Sequence, residues 1–473
     1  MTTQVSLPLW IVLLLGFLAL WTIGHKVFLP ILRKSLRRRE KRAVTQINKR
    51  LDLQLPPFKL TKRRVIIDRL LHDEKLLKDV KDYCRENGEE KEDVLNKVRF
   101  YAKEIVPSFN AYLYFKLGNL LSKLIVRLLY RIRVGFTDEE MLSKINPHSS
   151  ITFIMNHRSN MDYVLLGYLS FQRVALSFAV GEWDRVWPLK HLISSMGAFF
   201  VRRGSKNPLY RIVLARYVQL ATKGGVVQVV YLEGGLSRDG NLAEPRLGIL
   251  DYMLREFNPE TDRNIVFIPV GVNYDRVLED RTLLRESDPE AKQKSRMQII
   301  STLLQYITHS FALRIRGGWH RFGYAIVNFG PPISMKEYTI KHQINFRNLN
   351  KAERFEDVKR LAQHLMAAVG RVIPVAPVSL ISTVFAENPK KHFSDFEIVA
   401  RAQELIHGLE KNKAHIYIPR RDWTYAIQVG LRMLTLRHIV EIEDDLYHAV
   451  PEEIKILQYY ANSIHHLFYP LNN

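Results

Sequence analysis

Between residues 150 and 330 short apolar runs recur between stretches of helical period: ITFIM, ALSFAV, AFFVR, VVQVVYL, NIVFIPVGV and YAIVNFG. Runs this brief, rich in β-branched and aromatic residues, predict the buried strands of an α/β domain whose mostly parallel or mixed sheet is flanked by helices. A helix opening near Pro188, where proline suits the first turn, and another over 210–222 would supply crossovers. Pro269 lies inside NIVFIPVGV and lacks the N–H of a ladder donor, so that strand is expected at an edge or a bulge.

From 59 to about 134 the period is helical, with few breaks apart from Gly88, Pro107 and Gly118. The segment YLYFKLGNLLSKLIVRLLYRIRV spaces Lys116, Lys123, Arg127 and Arg131 at sevens and fours, which gathers the cations on one face opposite Leu and Ile. Such a helix can lie on a bilayer with its cations toward headgroups, or pack in a core with a solvated stripe. After PPIS at 331–334 the chain reads mainly helical, with polar connections at 388–392 and 412–415 and no internal repeat.

The N-terminus has a different character. LPLWIVLLLGFLALWTIG is an 18-residue apolar run with Trp10 and Trp21 near its ends, and the first charge is Lys26. Extended by Val27, Phe28 and Leu29 it reaches the length of about 20 residues that a helix needs to span hydrocarbon. No basic leader segment or small-residue cleavage site marks a removable signal; a helix lying in the interface is the alternative. RKSLRRREKR follows at 33–42, seven cations against one acid. Basic residues this close to a span place it with its following domain on the cytoplasmic side and attract anionic headgroups. The expected organisation is a membrane anchor helix at 1–29, a basic juxtamembrane linker at 30–57, a helical region at 58–145, an α/β domain at 146–335 and a helical C-terminal domain at 336–473.

The net charge of +22 asks for an anionic partner, and its clustering beside the apolar run favours membrane lipid over nucleic acid. Cys84 is the single cysteine, so no internal disulfide forms and no cysteine pair holds a structural zinc.

Candidate chemistry gathers at the ends of the apolar runs. In NHRSNMD, just past ITFIM, His157 and Asp162 are five positions apart, too far round a regular helix to meet, so a turn must join them. Such a turn at the carboxyl end of a strand is where open α/β sheets place ligands. A carboxylate holding Nδ1–H would leave Nε2 as a base. GAFFVRRG brings out Arg202 and Arg203, forks that suit phosphate oxygens. YLEGGLSRDG places Glu233, Gly234, Gly235, Ser237 and Arg238 in one loop, with glycines for close backbone approach, a carboxylate for hydroxyls and a cation for phosphate. Each feature also has a plain structural explanation as a glycine turn or a solvated pair. Nucleophile-elbow, P-loop, dinucleotide and HExxH patterns are missing. A base without a covalent nucleophile remains, which suffices to pass an acyl group from a thioester to a hydroxyl.

Taken in order, NHRSNMD, GAFFVRRG, YLEGGLSR and IPVGVNYDR resemble the four blocks of the glycerol-3-phosphate and dihydroxyacetone-phosphate acyltransferase family. EPRLG at 244–248 agrees, and YYANSIHHLF at 459–468 resembles a C-terminal signature of the bacterial membrane-bound members. The resemblance implies that His157 is the general base and Asp162 its orienting partner. It further implies that Arg202 and Arg238 hold the acceptor phosphate, that Glu233 and Gly234 bind the glycerol part, and that the block around Pro269 shapes the site. Arg158 or backbone N–H groups would face the oxyanion. The implied substrates are glycerol 3-phosphate and acyl-CoA or acyl-carrier protein, with no cofactor, no metal and no nucleic acid. Dihydroxyacetone phosphate and lysophosphatidate are alternative acceptors; a lipid esterase and a non-catalytic basic membrane scaffold are the readings from other classes. Where the third block of the family carries its first arginine, this chain has Leu236.

Overall fold

The computed structural model describes residues 56–170, 174–181, 193–202, 204–286 and 322–469. The expected anchor, nearly all of the linker, Arg203 and the helix expected near Pro188 lie outside the described residues. No helix among the described residues is long and apolar enough to cross a membrane.

One eight-stranded mixed sheet organises the chain. Its strands are β1 (Arg131–Thr137), β2 (Ser150–Met155), β3 (Ser177–Val180), β4 (Phe199–Phe200), β5 (Gln228–Val230), β6 (Ile265–Tyr274), β7 (Tyr324–Phe329) and β8 (Ile333–Ser334). The spatial order is β1-β7-β6-β2-β5-β3-β4, with β8 also on β6. The run β6-β2-β5-β3-β4 is parallel, while β7 and β8 run antiparallel to β6. The six apolar runs read from the sequence are six of these strands, within a mostly parallel sheet flanked by helices as expected.

Two expectations fail. β6 is central, paired with β2 on one side and with β7 and β8 on the other, although it contains Pro269. The Pro269 carbonyl accepts from the Gly330 N–H (2.8 Å), so its backbone faces the junction between β8 and β7, where the ladder is already interrupted. The missing donor therefore costs no ladder bond. The second failure is β1, which lies in a stretch read as helical. IRVGF alternates, but the strand is a mostly exposed sheet edge with no buried face to make the alternation plain.

The helix before β1, α1 (Asn119–Leu129), continues a single π-helical turn at Leu113–Gly118. It ends before Arg131, so only Lys116, Lys123 and Arg127 share the exposed cationic line. Leu117, Leu120 and Leu124 are exposed beside them, at 37%, 64% and 55%. The apolar positions thus divide between a buried side, with Ser122, Val126 and Leu129, and an outward stripe.

Apolar residues cover the sheet on both faces. Along β6, Val266, Ile268, Val270 and Val272 turn to one core and Ile265 and Phe267 to the other, the period of two that strands impose. The first core also takes C-terminal helices α3 (Pro377–Glu387), α4 (Asp395–Lys411), α5 (Trp423–Thr435) and α6 (Ile454–His465). The second takes N-terminal helices and α2 (Lys351–Val372), whose Val358, Leu361, Ala362, Leu365 and Val369 fall at helical spacing. A capping box between Asn350 and Glu353 starts α2. The C-terminal part is not wholly helical, since a hairpin of β9 (Val440–Glu443) and β10 (Leu446–Ala449) follows α5.

Candidate active site

β2 ends at Met155, and Asn156 continues its pairing by side chain: Oδ1 accepts from Val272 N (2.8 Å) and Nδ2 donates to Val272 O (2.9 Å). The chain then turns through 157–160 and enters a helix at Met161, which places Asp162 in its first turn. The turn brings His157 back over Asp162. His157 Nδ1 lies 2.9 Å from Asp162 Oδ2, with the side chains 1% and 0% exposed. The same oxygen accepts from the backbone of Arg158 (2.8 Å) and Ser159 (3.1 Å), and Oδ1 accepts from the Tyr274 hydroxyl (2.6 Å). With an ionised Asp162 as acceptor, Nδ1 carries the ring proton and Nε2 the lone pair. The imidazole stacks on Tyr231 with ring centroids 4.0 Å apart, and Nε2 meets the Tyr163 hydroxyl at a long 3.4 Å.

The loop after β5 closes over the same turn. Glu233 Oε1 accepts from His157 N (2.8 Å) and Oε2 from Ala243 N (3.1 Å), while Ser237 N donates to His157 O (2.9 Å). Burial raises the Glu233 carboxyl, opposed by the Arg158 charge and these backbone donors. One carboxylate oxygen therefore braces the backbone of the base, and the other ties it to the loop at Ala243. Gly234 turns the chain at φ +72, where a Cβ would press on Arg246, and Gly235 follows half-buried. Ser237 Oγ donates to Asn241 O and accepts from Gly240 N, internal to the loop.

Arg158 points inward, 1% exposed, and its guanidinium donates to the carbonyls of Gly240 and Ser463. Its Nε has no hydrogen-bond partner among the described residues. Arg202 is held elsewhere, by Glu104 through Nε (2.7 Å) and Nη2 (2.5 Å), over the rings of Tyr101 and Tyr210. Arg238 is exposed. No hydrogen bond or ion pair among the described residues joins Arg202 or Arg238 to the His157 cluster. Leu236 packs against the first core.

Sequence reasoning missed Tyr274, Tyr163 and Tyr231. Their signal was position: Tyr274 closes β6, Tyr231 follows β5, and Tyr163 follows Asp162 in chain. It also missed how directly α6 supports the turn. Ser463 contributes its carbonyl to Arg158 and its hydroxyl to Asn273 Nδ2 (3.2 Å), and Asn462 Nδ2 donates to Asp239 O (2.9 Å). Metal-ligating side chains converge at one place among the described residues, where His392, Glu443 and His448 bring ligand atoms within 4.8 Å. None of them belongs to the His157 cluster.

Residues 133–273 match the acyltransferase family model, and 312–471 match the glycerol-3-phosphate acyltransferase C-terminal region. A glycerol-3-phosphate acyltransferase of Xylella fastidiosa strain M23 is 24% identical over 424 residues, 86% of this chain and 47% of that protein. One of Pseudomonas fluorescens strain Pf-5 is 29% identical over 346 residues, 70% of this chain and 39% of that protein. The chain spans about half the length of the curated relatives it matches. A solved 1-acyl-sn-glycerophosphate acyltransferase of Thermotoga maritima is 13% identical, covers 64% of this chain and 96% of its own, and has a TM-score of only 0.30. The chain thus carries an acyltransferase domain and the C-terminal region of the glycerol-3-phosphate acyltransferases, and the resemblance in its four motifs is borne out.

Proposed function

We propose that the chain transfers a fatty acyl group from acyl-CoA or acyl-carrier protein to the primary hydroxyl of glycerol 3-phosphate, giving lysophosphatidate. The observation that carries this reading is the buried His157–Asp162 pair, with Nδ1 held at 2.9 Å, inside the region that matches the acyltransferase family. His157 Nε2 takes the hydroxyl proton as the acceptor oxygen attacks the thioester carbonyl. The tetrahedral intermediate collapses, the C–S bond breaks, and the imidazolium returns its proton to the leaving sulfur. The Tyr163 hydroxyl, 3.4 Å from Nε2, stands where the acceptor oxygen has to come. Asp162 keeps the ring in the required tautomer and supports the imidazolium.

Arg238, exposed beside the Glu233 loop, and Arg202 are the cations offered to the acceptor phosphate, with Arg203 next in chain. A phosphate at Arg202 competes with Glu104 for the guanidinium. Leu236 adds no cation to the loop and packs against the first core, which leaves Arg238 as the loop's cation for the phosphate.

The apolar N-terminus and basic linker hold the domain at the cytoplasmic face of a membrane. The outward stripe of Leu117, Leu120 and Leu124 beside Lys116, Lys123 and Arg127 favours the same surface, because apolar side chains enter the interface while cations meet anionic headgroups.

Membranes containing the protein, given labelled acyl-CoA with glycerol 3-phosphate, dihydroxyacetone phosphate or lysophosphatidate in turn, should form labelled lysophosphatidate from the first. His157→Ala should reduce turnover by about 10³-fold or more while the protein stays in the membrane fraction. Near-normal turnover in that variant would remove the base, and label in acyl-dihydroxyacetone phosphate or phosphatidate alone would replace the acceptor.

A further inference from the structure

We propose that Glu279 is a positioning residue that clamps the turn between His157 and Asp162 through donors that Asp162 does not engage. The proposal rests on the acyl-transfer reading for its meaning, though not for its geometry.

The turn has two sets of donors. Its inner set, His157 Nδ1 and the N–H groups of Arg158 and Ser159, goes to Asp162. Its outer set goes to a second carboxylate, over a hundred residues away in sequence. Ser159 Oγ donates to Glu279 Oε2 (2.7 Å), and Asn160 donates to Oε1 through its backbone N–H (3.3 Å) and through Nδ2 (3.2 Å). Ser159 Oγ meanwhile accepts from Met161 N (3.1 Å), so the hydroxyl passes the hold of Glu279 into the first turn of the helix that bears Asp162. Between them the two carboxylates engage every residue from His157 to Met161, directly or through Ser159 Oγ.

Glu279 is itself anchored. It precedes the helix Asp280–Glu286, and its carbonyl accepts from Thr282 N and Leu283 N. Asp280 beside it is gripped by C-terminal groups: Arg437 Nη2 at 2.5 Å and the Tyr460 hydroxyl at 2.6 Å, with the Arg437 and Asp280 side chains 7% and 6% exposed. Tyr460 also accepts from Val277 N (2.9 Å). A line of contacts therefore runs from the C-terminal helices through Asp280 and Glu279 to the turn. Burial pushes the Glu279 carboxyl up to about 7, against the lowering effect of Ser159 and Asn160, with the Asp162 charge adding to the rise. Keeping two carboxylates this close on one short turn is costly, which a loop needing only to be covered would avoid.

The test uses the full chain in membranes with Glu279→Ala, Glu279→Gln and Ser159→Ala. Glutamine keeps an acceptor for Asn160 and lets its amide donate to Ser159 Oγ, whereas alanine keeps neither. A turn displaced by about 1 Å costs about 100-fold in kcat, so Glu279→Ala should fall by that order. Glu279→Gln should recover at least about ten-fold of it, and both KM values should stay within about two-fold of wild type. Adding Ser159→Ala to Glu279→Ala should impair that variant no further, because the Ser159 Oγ contact to Glu279 is already lost. Hydrogen exchange of the amides at 158–162 should quicken in Glu279→Ala while the sheet keeps its protection.

The proposal is overturned if kcat in Glu279→Ala stays within about two-fold of wild type, if the loss falls wholly on KM, or if glutamine rescues nothing. Unchanged protection of 158–162 also overturns it. The exchange measurement needs no turnover, so a wild type that transfers no acyl group defeats the functional reading without deciding this one. Should Glu279→Ala not fold, Glu279→Gln and Ser159→Ala give the same two readouts.

Discussion

Asp275, just past the end of β6, is fully buried, and its two oxygens accept from Tyr324 N (2.7 Å) and Val378 N (3.1 Å). Burial lifts its carboxyl from 3.8 to about 7, because the two N–H groups recover only part of the cost of an uncompensated charge. The folded state therefore binds a proton that the unfolded state releases near 4. The resulting stabilisation is full below 3.8 and is lost as pH rises through 7. A difference of about three units at about 1.4 kcal/mol each gives on the order of 4 kcal/mol between pH 4 and 8. At about 2.1 cal/mol/K per residue the unfolding entropy of a chain this size is about 1 kcal/mol/K, so the shift in Tm is about 4 °C. Asp275→Asn removes the titration at a fixed cost of about 1–3 kcal/mol, since one N–H then faces an amide instead of an acceptor. Thermal unfolding of both proteins across pH 4.5–8 checks this. The variant should gain about 4 °C on wild type as pH rises, whatever the starting gap. A gap that stays constant within about 1 °C, or closes the other way, refutes the reasoning.

Asp162→Asn keeps the shape of the turn but can orient the wrong nitrogen of His157, so kcat for acyl transfer should fall by about 10²–10⁴ with little change in Tm; steady-state kinetics and a melting curve separate these effects. Gly240 adopts φ +90, and a Cβ there would fall on the Tyr459 carbonyl oxygen, far inside contact distance. Gly240→Ala should destabilise by about 3 kcal/mol or more through strain and the displaced helix, read as a lowered Tm, whereas an unchanged Tm would deny the close approach of the loop to α6.

The sheet was legible because each of its buried strands interrupts helical period with a short apolar run. β1 was not, since its exposure at the edge leaves no hydrophobic face, and its arginines extend a spacing that begins on a real helix. Proline misled for a related reason. The rule that excludes it from central strands concerns the missing ladder bond, and at Pro269 no ladder strand stands opposite to receive one. In the site, the meeting of His157 and Asp162 could be argued from spacing and a strand end. Tyr231, Tyr274 and Glu279 could not, because they reach the turn from distant segments through packing that no local pattern encodes, and Tyr163, though next to Asp162 in the chain, carries no pattern that marks it as facing Nε2.

The arginines show where residue type alone was a poor guide. An arginine beside a candidate base reads as a charge held ready for substrate, yet Arg158 is 1% exposed and spends its guanidinium on two backbone carbonyls. Burying that cation is tolerable only because the Glu233 carboxylate lies near enough to feel it and the carbonyls of Gly240 and Ser463 accept hydrogen bonds from its N–H groups. Each of those partners belongs to an element that also braces the turn. Glu233 holds His157 N, Gly240 closes the Ser237 loop, and Ser463 holds Asn273 at the end of β6. Removing the C-terminal helices would therefore strand a buried charge next to the base as well as expose apolar surface. On this argument the acyltransferase domain is incomplete without the C-terminal region, and the two should unfold as one unit.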